Sequence, residues 1–285
     1  MRLDVSFDAD GVTLRGWLFV PDDLKEPRAA IIVSHGFSAI KEQDLHAKPF
    51  ADAGFVVLLY DHRNLGSSDG EPRQEIDPWR QILDMRHAIS FMRSRKEVDP
   101  EKIGLWGTSY SGGHVLVVAA MDRRVKCVVA QAFTVDGYVA LRRRLGDEGY
   151  AEMRRKIDAD YEARFRGEPP QYVAVTEPGT VSYEHLHQGD AGKLYPNKVT
   201  LRSRDLHMGY VPGAFVSRIA PTPLLMIVPD NDTTTPTDLQ LKAFAEAGEP
   251  KKLVVIKNSE HYGVYREHFE QTYRAAVDWF NQHLA

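Results

Sequence analysis

Six apolar runs recur along the chain: Ala29–His35 (AAIIVSH), Gly54–His62 (GFVVLLYDH), Lys102–Ser109 (KIGLWGTS), Val125–Gln131 (VKCVVAQ), Pro223–Asp230 (PLLMIVPD) and Lys252–Asn258 (KLVVIKN). Runs with little polar alternation imply strands buried on both sides, as in a parallel sheet covered by helices. Segments of helical spacing separate them, at Gln43–Ala53, Pro78–Ser94, Tyr110–Met121, Thr237–Ala247 and Tyr262–His283. Ahead of the first run, LDVSF and VTLRGWLFV alternate apolar and polar residues around DADG. That pattern predicts an antiparallel hairpin at the sheet's edge. A hairpin followed by β-α alternation gives an α/β class with a mostly parallel sheet.

The rhythm fails between Thr134 and Ser217, where charged helical stretches precede a tail rich in Tyr, His, Gly and Pro. A structureless loop of that size is implausible in a compact protein. The expectation is a largely helical cap, residues 134–217, inserted into a core formed by residues 1–133 and 218–285. Its aromatics are Tyr138, Tyr150, Tyr161, Phe165, Tyr172, Tyr183, Tyr195, Tyr210 and Phe215. They either fasten the cap to the core or line a substrate pocket beneath it.

Composition narrows the function classes. A net charge of -4 over 285 residues offers no electrostatic footprint for nucleic acid or an anionic membrane. No run approaches the roughly 20 apolar residues of a membrane span, and the opening MRLDVSFDAD lacks a signal-peptide core. The single cysteine, Cys127, sits in an apolar run and suits a buried position in a reducing compartment, so cytoplasm is expected. His185 and His187 alternate without a compact acidic or cysteine partner, so no metal site is expected. The arginines at 142–144 and 154–155 alternate with acids, as on a solvated helix face, with recognition of a carboxylate or a coenzyme A phosphate as the other reading. No phosphate-binding glycine motif occurs, and no cofactor is implied. The oligomeric state is open, a homodimer included.

The chemistry lies in GLWGTSYSGGHVL, Gly104–Leu116, where two serines compete. A nucleophilic serine must project from a sharp strand-to-helix turn and have a base beside it. Ser109 falls on the junction between the run KIGLWGTS and the helical segment YSGGHVLVVAAM, whereas Ser111 lies inside the helix's first turn. Gly107 leaves room for the turn. Ser111 occupies the position at which G-x-S-x-G has its second glycine.

GTSYSGG resembles the elbow of the α/β-hydrolase superfamily, particularly branches with G-x-S-Y-x-G such as the prolyl-peptidase and cocaine-esterase groups. The resemblance spans the chain outside the cap and implies an α/β-hydrolase fold with Ser109 as nucleophile. The superfamily's triad runs Ser, Asp or Glu, His. Asp232, four residues before Pro236, matches the D-x-x-x-P placement, with Asp230 as competitor, and His261 follows the last strand. HGF (His35–Phe37) resembles the family's HG-x motif, which implies an oxyanion hole from the backbone amides of Phe37 and Tyr110; help from the Tyr110 hydroxyl is a lesser reading. YDHRNLGSSDGEP resembles the D-x-R-G-x-G-x-S segment, with Asn64 at a usual glycine and Asp61 and Arg63 expected to pin the loop. Together these stretches are similar to a bacterial and fungal subgroup, dienelactone-hydrolase-like or polyketide-transferase-like, that includes enzymes moving acyl chains onto alcohols.

The expectation is a serine hydrolase of carboxylic esters or thioesters whose partner is a small-molecule acyl ester or thioester. An acyltransferase using the same triad, a ligand-binding homologue without catalysis, and a peptidase are the alternatives.

Overall fold

The computed structural model describes residues 1–284. The predicted edge hairpin is β1 (Arg2–Ala9) and β2 (Val12–Phe19), antiparallel and in register from Arg2 opposite Phe19 to Ala9 opposite Val12. The predicted runs form β3 (Arg28–Ser34), β4 (Val56–Tyr60), β5 (Val98–Thr108) and β6 (Val125–Gln131). Within the insertion lie the short β7 (Tyr172–Ala174) and β8 (Lys198–Thr200), and the chain returns to the core through β9 (Leu224–Pro229) and β10 (Lys251–Ile256). Eight strands make one sheet in the order β1-β2-β4-β3-β5-β6-β9-β10, parallel except where β2 joins its neighbours. This is the α/β-hydrolase fold.

The sheet's two faces follow from the period of two along each strand. Ala30 and Ile32 of β3 face a core completed by α2 (Pro78–Arg93), α3 (Tyr110–Met121) and α8 (Thr237–Glu246). Ile31 and Val33 face the other core, filled by α1 (Ala47–Asp52) and α9 (Phe269–Leu284). α2 begins where Asp77 accepts hydrogen bonds from the amides of Trp79 and Arg80, with Pro78 at the first helical position. Both are standard starting devices.

Two helices differ from the sequence expectation. Gln43–Ala53 is not continuous: a 3-10 turn over Lys41–Gln43 ends at Asp44, whose carboxylate accepts from the amides of His46 and Ala47 and starts α1 afresh. Tyr262–His283 also divides. A 3-10 turn spans Gly263–Tyr265, Arg266 takes a non-helical conformation, and the helix begins only at Phe269. His268 therefore precedes the helix instead of lying within it.

Between β6 and β9 the chain runs through α4 (Gly137–Phe165), α5 (Val181–Leu186), α6 (Gly189–Leu194) and α7 (Leu201–Met208), with β7 and β8 paired antiparallel as a small ribbon. α4 is two helices that meet at Gly146, where φ is 67°. The nine aromatics named above do not line the central cavity. Several fasten this segment to the core: the Tyr195 hydroxyl lies 2.6 Å from Ser38 Oγ, Tyr172 donates to the Arg73 carbonyl at 2.9 Å, and Tyr210 meets His114 Nδ1 at 2.7 Å. Phe165 is the exception, 90% exposed.

Candidate active site

Ser109 stands between β5 and α3 at φ 53° and ψ -117°, a strained conformation for a residue with a Cβ. Its backbone is held from both sides: its amide donates to the Gln131 carbonyl, and its carbonyl accepts from the Thr134 amide, both at 2.9 Å. Gly107 is needed because a Cβ there would lie 2.3 Å from the Ser111 carbonyl oxygen. Strain concentrated at one serine, over-determined by its surroundings, is how a nucleophile is kept projecting from a turn.

The Ser109 hydroxyl donates to His261 Nε2 at 3.1 Å, and His261 Nδ1 lies 2.7 Å from Asp232 Oδ2. The other Asp232 oxygen accepts from the amides of Thr234 and Thr235 at 2.8 and 2.9 Å, and the Thr235 hydroxyl reaches Oδ2 at 2.7 Å. Burial alone would raise the Asp232 carboxyl, but His261 and these donors outweigh it and hold it below its ordinary value. Asp230, the competitor, is turned outward and accepts from the Ser259 amide. Thr235 escaped the sequence reading. It sits within TTTP directly before Pro236, and its hydroxyl, also 2.8 Å from the Ala132 carbonyl, joins the acid to the end of β6.

Ser111 is buried and points elsewhere. Its hydroxyl lies 3.1 Å from His62 Nε2, which is also 3.0 Å from Ser34 Oγ. The unusual serine in the elbow thus ties α3 to β3 and to the loop after β4. Asn64, at the other customary glycine, adopts φ 67° and donates from its side chain to the Glu75 carbonyl. Asparagine tolerates the left-handed region better than most residues, and here its amide gains a partner.

Gly36 lies against Ser109, since a Cβ there would be 3.2 Å from Ser109 Cβ. This brings the HGF turn and the N-terminus of α3 together. Phe37 and Tyr110 pack edge to face at 5.1 Å. The Tyr110 amide is the first of α3 and has no carbonyl four residues back within the helix. The Tyr110 hydroxyl is buried without a hydrogen-bond partner among the described residues.

Behind this turn, Asp61 accepts from the Lys41 amide (2.8 Å), the Lys41 ammonium (2.7 Å) and the Ser67 amide (2.8 Å), while Arg63 pairs with Asp84. Both loops beside the HGF turn are therefore pinned by buried ion pairs. Burial pushes the Asp61 carboxyl up, yet the Lys41 ammonium and the backbone donors bring it below its ordinary value. Removing one partner of a buried pair strands the other charge, which costs about 3–5 kcal/mol. Lys41→Met is therefore expected to lower unfolding stability by about that amount in urea titrations; a change below about 1 kcal/mol would refute the pinning role.

A cavity of about 380 Å³ opens in front of Ser109. The core side supplies Phe37, His46, Tyr262 and Tyr265, and the inserted segment supplies Leu141, Arg144, Val181, His185, Leu186, Arg204 and His207. His185 packs 4.8 Å from the Tyr262 ring, and His187 stacks on Tyr183 at 3.8 Å. Cys127 is buried in β6, where burial pushes its thiol up and keeps it protonated. Arg142 pairs with Asp147 and Arg143 with Asp238 on the outside, whereas Arg144 faces the cavity.

Comparisons with known proteins agree with this fold. The model of the X-Pro dipeptidyl-peptidase (S15) family matches residues 10–160. The polyketide transferase grgF of a Penicillium species is 32% identical, over 100% of this chain and 97% of its own length. The crystal structure of that α/β hydrolase superposes with a TM-score of 0.85, covering 100% of this chain and 99% of its own. A thiohydrolase of Eupenicillium brefeldianum is 32% identical over 92% of this chain and 88% of its own length. No helix among the described residues is long and apolar enough to cross a membrane. Sheet order, elbow and relatives together make this chain a member of the α/β-hydrolase superfamily, an enzyme of the hydrolase kind that belongs to the X-Pro dipeptidyl-peptidase (S15) family.

Proposed function

We propose that the chain is a serine hydrolase of carboxylic esters or thioesters that works through an acyl-enzyme on Ser109. The observation that carries this is the continuous hydrogen-bond line from Ser109 Oγ through His261 to Asp232, opening on a cavity of about 380 Å³. His261 Nε2 takes the hydroxyl proton as Oγ bonds to the acyl carbon. The amides of Phe37 and Tyr110 hold the developing oxyanion, and Asp232 stabilises the imidazolium without taking its proton. Collapse of the tetrahedral intermediate expels the thiol or alcohol, which receives the proton from His261 Nε2. Water, deprotonated by the same nitrogen, then releases the acid.

Acyl transfer is the second reading, and the cap favours it. The Gln43 side chain donates to the Leu186 carbonyl at 2.6 Å and Ser38 meets Tyr195 at 2.6 Å, so the insertion is fastened over one side of the cavity in front of Ser109. Such cover reduces the water that reaches the acyl-enzyme and would give an alcohol acceptor the advantage. Polyketide transferases and thiohydrolases both occur among the relatives, in keeping with either outcome. The single buried cysteine suits a reducing compartment such as the cytoplasm.

The discriminating measurement is product partition from an acyl thioester with and without millimolar alcohol acceptors. Free acid as the main product in both cases supports hydrolysis. Acyl-alcohol as the main product overturns hydrolysis in favour of transfer.

A further inference from the structure

Most arginines of the cap have a carboxylate. Arg142 pairs with Asp147, Arg143 with Asp238, Arg154 with Asp205 and Asp158, and Arg164 with Asp160. Arg144 and Arg204 differ. Both line the cavity in front of Ser109, and neither forms an ion pair among the described residues.

Their positions are built. Arg204 is only 9% exposed, donates from Nη2 to the carbonyls of Ala174 and Val175 at 3.1 and 3.4 Å, and lies 5.3 Å over the Phe37 ring. Its remaining N–H groups have no acceptor among the described residues. Arg144 shares the inward face of α4 with Ala140 and Leu141, one turn along, which also line the cavity. The nearby carboxylates are committed or distant. Asp44 serves the amides of His46 and Ala47, Asp232 serves His261, and Glu260 makes no ion pair with either arginine.

Arg204 is a buried guanidinium without a carboxylate, which is costly to maintain, and Arg144, still exposed to solvent, adds a second positive charge at the same cavity. Burial, and after it the charge of Arg144, brings Arg204 down to about 10, and His207 between them is held neutral, down to about 3. An anion entering the cavity would relieve this repulsion and gain charge-assisted hydrogen bonds. A neutral acyl chain would gain neither.

We propose that Arg144 and Arg204 form an anion subsite on the cap side of the cavity, so that the preferred substrate carries a carboxylate besides the acyl carbonyl that Ser109 attacks. This rests on Ser109 as the nucleophile, and its test is built to survive the failure of that reading.

In the catalytic arm, kcat/KM is compared within two pairs of aryl esters. Hexanoate against the half-ester of adipate puts the carboxylate on the acyl side; hexanoyl esters of 4-hydroxybenzamide and 4-hydroxybenzoate put it on the alcohol side. The native protein is expected to favour the anionic member of at least one pair by about tenfold or more, the size of a hydrogen-bonded charge. Arg144→Gln should bring that ratio to within about twofold of one, and Arg144→Lys should keep part of it. Because a ratio is read, loss of folded enzyme cancels. In the binding arm, Ser109→Ala protein is titrated with monomethyl adipate and with dimethyl adipate, and the anion should bind about tenfold tighter unless Arg144 is also changed to Gln. A preference absent from both arms, or one that survives Arg144→Gln, overturns the subsite. If no ester is turned over but the binding preference is present and falls with Arg144, the nucleophile assignment has failed and the subsite stands.

Discussion

Alanine at position 109 is expected to reduce kcat on activated esters by roughly 10⁴- to 10⁶-fold, as loss of a triad nucleophile does in other serine hydrolases. Labelling by a fluorophosphonate should vanish with it. The contrast is Ser111→Ala, which should keep labelling. The two hydroxyls lie on opposite sides of the same turn: Ser109 Oγ reaches His261, and Ser111 Oγ reaches His62 within the protein. Losing the latter leaves His62 Nε2 with Ser34 alone and should cost about 1 kcal/mol of stability. Labelling abolished by Ser111→Ala but not by Ser109→Ala would reverse the assignment.

Acid should begin to destabilise the protein above the pH at which its carboxylates titrate. His35, His62 and His114 are buried beside one another, with ring centroids 4.8 Å apart for the first pair and 5.7 Å for the second. Burial depresses all three, His62 well below its ordinary value and His114 to about 3. Each is therefore neutral when folded and gains a proton on unfolding once the pH falls below about 6.5, the value of a free histidine. The unfolded chain then binds more protons, so stability is fully present above pH 6.5 and is lost as the pH falls towards the folded values. Three such groups remove up to about 4 kcal/mol per pH unit in that window. For a stability of about 5–10 kcal/mol, within the usual range, the acid midpoint should fall between about pH 4 and 5.5. Circular dichroism across pH 3 to 8 checks this, and His114→Gln should move the midpoint downward. A structure intact at pH 3 would show that these rings are more solvated than their surroundings indicate.

Much of this was legible in the sequence because it is encoded locally. Doubly buried strands announce themselves as apolar runs, and α3 was expected from Tyr110 to Met121, where it lies. The residues that meet at the site, Ser109, Asp232 and His261, lie just beyond β5, β9 and β10, and because those strands are parallel their C-terminal ends bring the three together. What was hidden depends on partners distant in the chain. Helical periodicity continues through Asp44 and Arg266, and only the capping carboxylate and the loop presenting His261 reveal the breaks. The cap's aromatics read equally well as a pocket lining, and only packing shows that they fasten it instead. In the triplet 142–144 the third arginine turns inward because Ala140 and Leu141 mark that face of α4, a stripe too short to separate from its charged neighbours by pattern alone.

The amide of Thr134 donates to the carbonyl of Ser109, and Thr134 is where the chain leaves the core for the cap. The root of the inserted segment is thus moored to the Ser109 peptide, while its far end, around α5 and α6, meets the core through side chains such as Gln43 and Ser38. A residue inserted at the root would therefore disturb this segment and the elbow together, whereas one inserted between α5 and α6 would leave the Ser109 peptide in place.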